Sequence, residues 1–199
     1  SRTGARVYSA GDRCDAIFVV YAGFLKTSWV DKYGNEKILG FPMKGDVVGF
    51  DGIDLKQFRN TLVALFDIEL IVVPMDFFHA NGSHASGLRR KIMELMSHAL
   101  VAGQKVEYMM GTLPAEARVA KFLLSISQKF RAMGFSDKSF HLRMTREDIG
   151  SYLGLTLETV SRTLSGFSRC GLIRVDQKFI EIVDCDGLKL LRRLPSLKR

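Results

Sequence analysis

The stretch MTREDIGSYLGLTLETVSRTLSGFSR, residues 144–169, reads as two short amphipathic helices joined by a glycine turn. Ile149, Tyr152 and Leu153 recur at helical spacing, Thr145 stands as N-cap, and Asp148 makes a near capping box, so a first helix starts near Arg146. Gly154 enters the left-handed region at little steric cost and ends that helix, leaving Leu155 to plug the angle that follows. Thr156 caps a second helix whose inner stripe is Val160, Leu164 and Phe167. Leu157, Glu158, Ser161 and Arg162 then face outward near its N-terminal end. This is the pattern of a helix-turn-helix, in which the second helix meets base edges in a major groove. The alternative is an ordinary helical hairpin with a solvated charged face.

The outward set suits base reading. An arginine fork holds guanine O6 and N7, a carboxylate accepts from cytosine N4, and a small hydroxyl approaches a base or a thymine methyl. Arg162, Glu158 and Ser161 supply these three chemistries. Downstream, residues 171–183 place two β-branched, apolar runs around Asp176, Gln177 and Lys178, which predicts a β-hairpin and hence a winged helix. Charge agrees. The net charge is +8, and residues 113–199 carry 16 Lys/Arg against 9 Asp/Glu, while residues 1–112 carry 13 against 12. Phosphate attraction supplies much of the affinity of a DNA-binding surface, so the excess lies where it is needed.

The N-terminal half reads differently. Runs rich in Val, Ile, Phe and Leu at residues 16–21, 24–30, 36–41 and 68–73 are separated by glycine turns, which predicts a small antiparallel barrel or jelly roll. Between the halves, Leu88, Ile92, Leu95, Ala99, Ala102, Val106 and Met109 alternate at four and three residues, a heptad seam suited to a two-stranded coiled coil. A second stripe of Met93, Met96, Leu100, Gly103 and Met110 lies beside it. One stripe is expected on the β-domain and the other on a partner helix, with Leu88, Ile92, Leu95, Met96, Ala99, Leu100, Gly103, Val106 and Met110 as candidate dimerisation residues. The other reading is a single helix buried in one chain's core. A symmetric dimer also suits two recognition helices on an inverted repeat.

Residues 144–169 resemble the DNA-binding signature of the CRP/FNR family of bacterial transcription regulators, and Glu158, Ser161 and Arg162 match the Glu-x-x-Ser-Arg pattern of its FNR branch. Further matches are Ala10-Gly11-Asp12, Gly23 with Leu25-Lys26, Gly34-Asn35-Glu36, the run from Gly45 to Asp51, and Ala115 to Phe122. The resemblance implies an α+β chain in three parts: an antiparallel, jelly-roll-like β-roll sensor domain over 1–86, a long dimerisation helix over 87–112, and a winged helix-turn-helix domain over 113–199. It implies a homodimer on double-stranded DNA, at an inverted repeat resembling TTGAT-N4-ATCAA. Arg143, Arg146, Thr156, Arg169 and Lys178 are expected to position the protein on phosphates. Activation or repression would follow from contact of a loop such as residues 49–55 with RNA polymerase. A β-roll ligand- or protein-binding module with a helical assembly tail, without a DNA role, is the competing reading.

Cofactor signals are weak. Cyclic-AMP-binding members carry Gly-Glu followed by Arg-Ser; here Gly45 is followed by Asp46, and Arg59 by Asn60, so a cyclic nucleotide is not expected. The FNR-branch iron–sulfur cluster needs four thiolates. This sequence offers Cys14, Cys170 and Cys185, widely spaced, with Ile71 near the internal ligand position, so the four-Cys cluster is not supported and the chain resembles cluster-free FixK-like or Dnr-like members. The sequence starts without Met and enters the β-roll at once, so an N-terminal segment carrying ligands is an open expectation. Cys170 reads first as a buried structural thiol and second as a redox switch beside the recognition helix. His79, His84, His98 and His141 form no close ligand pair, so no metal site is expected. No nucleophile motif or phosphate-cradling glycine loop points to an enzyme. No apolar run approaches a membrane span and no signal-peptide pattern opens the sequence, so a cytoplasmic protein without membrane contact is expected.

Overall fold

In a computed structural model, the described residues are 3–78 and 83–191, so His79 lies outside them, as does the side chain of His84. The chain divides into two compact units, Ser1–Gln104 and Lys105–Arg199.

The first unit holds two antiparallel sheets. Strands β1 (Arg6–Tyr8), β2 (Ala16–Ala22), β3 (Leu25–Val30), β4 (Glu36–Gly40), β5 (Val47–Val48), β6 (Thr61–Ala64) and β7 (Glu69–Pro74) pair in the orders β1-β6-β3-β4 and β5-β2-β7. All four runs read as strands are strands. The additional β1, β5 and β6 span only two to four residues each, too few to show alternation in the sequence.

Strand β2 explains its own continuous apolar sequence. Val20 and its neighbour Phe18 pack into a core with Tyr8, Leu25, Phe58 and Leu62, while Ile17 and Val19 pack on the opposite side with Val47, Val73 and Ile92. A central strand covered on both faces has no polar side to display. In the first core the Tyr8 and Phe58 rings stack with centroids 3.8 Å apart.

Helix α1 (Ser83–Thr112) covers the predicted heptad region and extends it by a few residues at each end. It is not a separate body, because the division between the two units falls within it. The structure corrects one dimerisation residue. Ile92 is 1 % exposed in a single chain, inside the β-roll core, and has no surface left to give a partner. Leu95 and Met96 pack against the same cluster but stay half-buried. Leu88, Leu100 and Gly103 are exposed, whereas Ala99, Val106 and Met110 are half-buried. Met93, Val101 and Tyr108 add further exposed apolar surface.

The second unit contains α2 (Ala115–Ala132), β8 (Ser139–His141), α3 (Arg146–Leu153), α4 (Leu157–Arg169), β9 (Ile173–Asp176), β10 (Phe179–Ile182) and α5 (Cys185–Leu191). Helix α2 starts after Pro114 and buries Ala117, Ala120, Leu123 and Leu124. The expected hairpin forms with Ile180 opposite Val175, and its two-residue turn places Gln177 at φ 49°. Glu181 pairs with Arg174 across it at 3.0 Å. A third strand, β8, joins the other edge of β10, which the sequence did not show because three residues carry no period.

Candidate nucleic-acid interface

The helix-turn-helix forms as its residues dictate. The Thr145 side chain accepts from the Asp148 N–H at 3.0 Å and the Asp148 carboxylate accepts from the Thr145 N–H at 2.9 Å, completing a capping box at the start of α3. Gly154 ends α3 at φ 65°, ψ 42°, a left-handed conformation. Thr156 caps α4 by accepting from the Thr159 N–H at 3.1 Å. Leu155 is half-buried between the helices.

Two residues that hold this turn carried no role in the sequence reading. Gly150 lies where α3 meets the turn, and a Cβ built there would sit 2.7 Å from the Leu155 carbonyl oxygen. Arg118 on α2 donates to the carbonyls of Met110 at 2.6 Å, Leu113 at 2.8 Å and Leu153 at 3.1 Å. One guanidinium thus satisfies orphan carbonyls at the ends of α1 and α3. Partial burial holds its pKa below the usual arginine range. Arg118 lay within a quoted family match, but nothing in the local pattern shows that an arginine reaches carbonyls 35 residues away.

Helix α4 separates inside from outside cleanly. Val160, Leu164 and Phe167 are buried, as expected, and Thr163 joins them. Leu157, Glu158 and Arg162 are exposed and Ser161 is half-buried. Among the described residues, neither the Glu158 carboxylate nor the Arg162 guanidinium makes a hydrogen bond or ion pair with the rest of the chain. Their polar capacity is unspent, as a base-reading surface requires.

The expected phosphate-positioning residues are in different states. Arg169 and Lys178 are exposed, at the end of α4 and in the wing turn. Thr156 is exposed with its hydroxyl engaged in the cap, and Arg143 is half-buried. Arg146 donates from Nη2 to the Gln177 carbonyl at 2.7 Å, tying α3 to the wing, and burial lowers its pKa. A groove of about 320 Å³ lies between α4, Arg146 and Val175 of the wing, lined also by Ser161, Ser165 and Ser168. Ser165 and Ser168 were missed, although they follow Ser161 at four and seven residues and so share its helix face.

The β-roll shows how its loop charges are used. The Asp51 carboxylate accepts from the consecutive N–H groups of Arg59 and Asn60, both at 2.9 Å, and the Arg59 guanidinium pairs with Asp54 at 2.5 Å. These donors are thus engaged by the chain's own carboxylates, the Arg59–Asp54 pair at an exposed site. Residues 1–199 hold three cysteines, of which Cys14 is buried in the β-roll and Cys170 and Cys185 are exposed. The expectation of a buried Cys170 is thereby corrected: as C-cap of α4 it lies beyond the helix's inner stripe. Among the described residues no group of three or more His, Cys, Asp or Glu is placed to hold a metal ion. No helix there is long and apolar enough to cross a membrane.

Residues 117–191 match the Crp-like helix-turn-helix domain and residues 1–80 the cyclic nucleotide-binding domain. The chain is 39% identical over 94% of its length to the transcriptional regulatory protein btr of Bordetella pertussis, spanning 78% of that protein. The chain belongs to the CRP/FNR family of transcription regulators. It is likewise 35% identical over 94% of its length to the fumarate and nitrate reduction regulatory protein of Salmonella typhimurium, spanning 75% of it. The solved structure of FixK2 from Bradyrhizobium japonicum superposes with a TM-score of 0.83 at 26% identity, covering 97% of this chain and 95% of that one. As a CRP/FNR regulator the chain is not an enzyme; it joins a cyclic nucleotide-binding-like β-roll to a helix-turn-helix DNA-binding domain.

Proposed function

We propose that this CRP/FNR regulator binds an inverted-repeat operator resembling TTGAT-N4-ATCAA as a homodimer. In each half-site Arg162 holds a guanine, Glu158 accepts from a cytosine amino group, and Ser161 meets a neighbouring base. Arg143, Arg146, Thr156, Arg169 and Lys178 set the register on backbone phosphates. The similarity to the fumarate and nitrate reduction regulatory protein supports the FNR-branch half-site. The observation that carries the reading is the unspent polar surface of Glu158 and Arg162 beside a fully buried opposite face of α4.

Residues 87–112 serve as the dimerisation segment between a β-roll over 1–86 and a DNA-binding domain over 113–199. The exposed Leu88, Leu100 and Gly103 support this, with Leu95, Met96, Ala99, Val106 and Met110 at the margin of the seam. RNA polymerase meets the loop over residues 49–55, where Leu55 is 62% exposed. The protein works in the cytoplasm without a cyclic nucleotide or a four-Cys cluster. Fluorescence anisotropy with matched and scrambled inverted repeats tests the reading. A preference for the matched duplex, at a stoichiometry of two chains per duplex, is expected. Equal binding to both would refute it.

A further inference from the structure

The two exposed cysteines stand at the foot of one hairpin. In the β9–β10 ladder Ile173 lies opposite Ile182, and the pairing runs on past the strand ends, where the Leu172 carbonyl accepts from the N–H groups of Val183 and Asp184, both at 3.0 Å. Continued outward in the same register, Gly171 comes against Asp184 and Cys170 against Cys185. Directly opposed residues of an antiparallel pair have Cα atoms about 4.5–5.5 Å apart, inside the range of about 4.4–6.8 Å that a disulfide spans. The chain leaves the ladder at both ends, into α4 and α5, so closing this last step takes a local movement. The end of α4 is made to give there. A Cβ at Gly166 would meet nothing within 4 Å, so packing does not require glycine at that position and its effect is to loosen the final turn. Gly171, at φ 71°, then turns the chain out of the helix.

Each sulfur also has a cation at hand. Arg169 precedes Cys170 in the sequence. Lys189, one turn along α5, pairs with the Asp186 carboxylate at 2.8 Å and also interacts with the Cys185 sulfur. Neighbouring positive charge favours the thiolate, which is the form that reacts. Cys14 is buried in the other unit, so it takes no part.

We propose that Cys170 and Cys185 form a reversible intramolecular disulfide when the protein meets a peroxide. One thiolate attacks a peroxide oxygen, the O–O bond breaks and hydroxide leaves, giving a sulfenic acid. The second thiolate attacks that sulfur, the S–S bond forms and a second hydroxide leaves. Two thiols are oxidised, one peroxide is reduced, and their protons and the hydroxides make two waters. The bridge closes the wing into a covalent loop and ties the end of α4, with Arg169, to the start of α5. Its consequence rests on the DNA-binding reading above: with the end of α4 drawn toward α5, the operator is held less tightly.

The full chain is treated with hydrogen peroxide, denatured, alkylated and digested without reductant. Peptide mapping should recover the Cys170 and Cys185 peptides joined within one chain, and Cys14 as an alkylated thiol. An acid on Cys170 beside a free Cys185, or a cross-link between two chains, would overturn the bridge. Both cysteines are exposed, so Cys170→Ser and Cys185→Ser should keep the fold, and circular dichroism melting verifies it. In either variant excess peroxide should carry the remaining thiol to a sulfinic acid that dithiothreitol does not reverse, whereas dithiothreitol should return wild type to the free thiols.

Anisotropy on the matched inverted repeat reads the consequence. Bridged wild type should lose affinity and regain it with dithiothreitol; unchanged affinity in fully bridged protein would overturn the regulatory role. If reduced wild type fails to distinguish matched from scrambled duplexes, the DNA-binding reading itself falls, and the peptide map still decides the bridge.

Discussion

The guanidinium of Arg118 donates to the Leu153 carbonyl at 3.1 Å with the same Nη1 that lies 3.5 Å from the Gly154 carbonyl, while its Nη2 reaches Met110 at 2.6 Å. A single cation on α2 therefore closes the C-terminus of α1 and the glycine turn of the helix-turn-helix together. The end of the long helix and the end of α3 are braced by one residue.

Arg118→Ala leaves those carbonyls without their charged donor. With hydrogen bonds to charged groups worth about 1.5–3 kcal/mol, the variant should lose about 2–4 kcal/mol of stability in the second unit, water recovering part of the loss. Arg118→Lys supplies one donor direction in place of a fork and should recover less than half. Chemical denaturation followed by circular dichroism measures both. Unchanged midpoints would show that the brace carries no weight.

Gly150→Ala sets two effects against each other. Alanine gains about 1 kcal/mol of helix propensity over glycine. The new Cβ, however, would stand 2.7 Å from the Leu155 carbonyl oxygen, a backbone atom that no side-chain rotation can move aside. Overpacking of this kind costs about 1–3 kcal/mol, so the clash wins and the variant should melt lower and bind operator more weakly. A raised melting temperature would contradict the turn geometry.

Arg162→Ala should cost about 1–3 kcal/mol per half-site and relax discrimination between bases, whereas Lys178→Ala should chiefly lower the salt slope by about 1. Matched and scrambled duplexes titrated at several salt concentrations separate the two behaviours. An unchanged matched-to-scrambled affinity ratio in Arg162→Ala would remove Arg162 from base reading.

Tyr8 and Cys14 make the β-roll sensitive to alkali. Burial first, and the nearby Asp51 carboxylate second, raise the Tyr8 phenol well above its ordinary 10.0 and the Cys14 thiol above its ordinary 9.0. Both groups hold their protons more tightly folded than unfolded. Their contribution is complete below the unfolded pKa values and is lost as pH rises past them toward the folded ones, so stability should decline above about pH 9. Tyr8→Phe should flatten that decline in urea titrations run between about pH 8 and about pH 10.5. Iodoacetamide should label exposed Cys170 and Cys185 well before buried Cys14.

Oxidation of exposed Cys170 adds bulk and negative charge at the end of α4, one residue from Arg169. Peroxide should accordingly weaken operator binding in wild type and leave Cys170→Ser unaffected. Equal loss in both would end its candidacy as a redox switch.

The amino-acid order by itself determined every element with a local signature. Thr145, Asp148, Gly154 and Thr156 wrote the ends of α3 and α4, the heptad apolar positions wrote α1, and the four longer β runs wrote the sheets, because caps, glycine turns and hydrophobic periods act within a few residues. Tertiary structure alone decided the rest. It gave Ile92 to the β-roll, spent the Arg59 guanidinium on Asp54, placed Arg118 among distant carbonyls, and brought Arg146 to the wing turn to close a groove over the serines of α4. Each of these depends on which surfaces meet after the chain folds back on itself, and no local period or propensity encodes such a meeting.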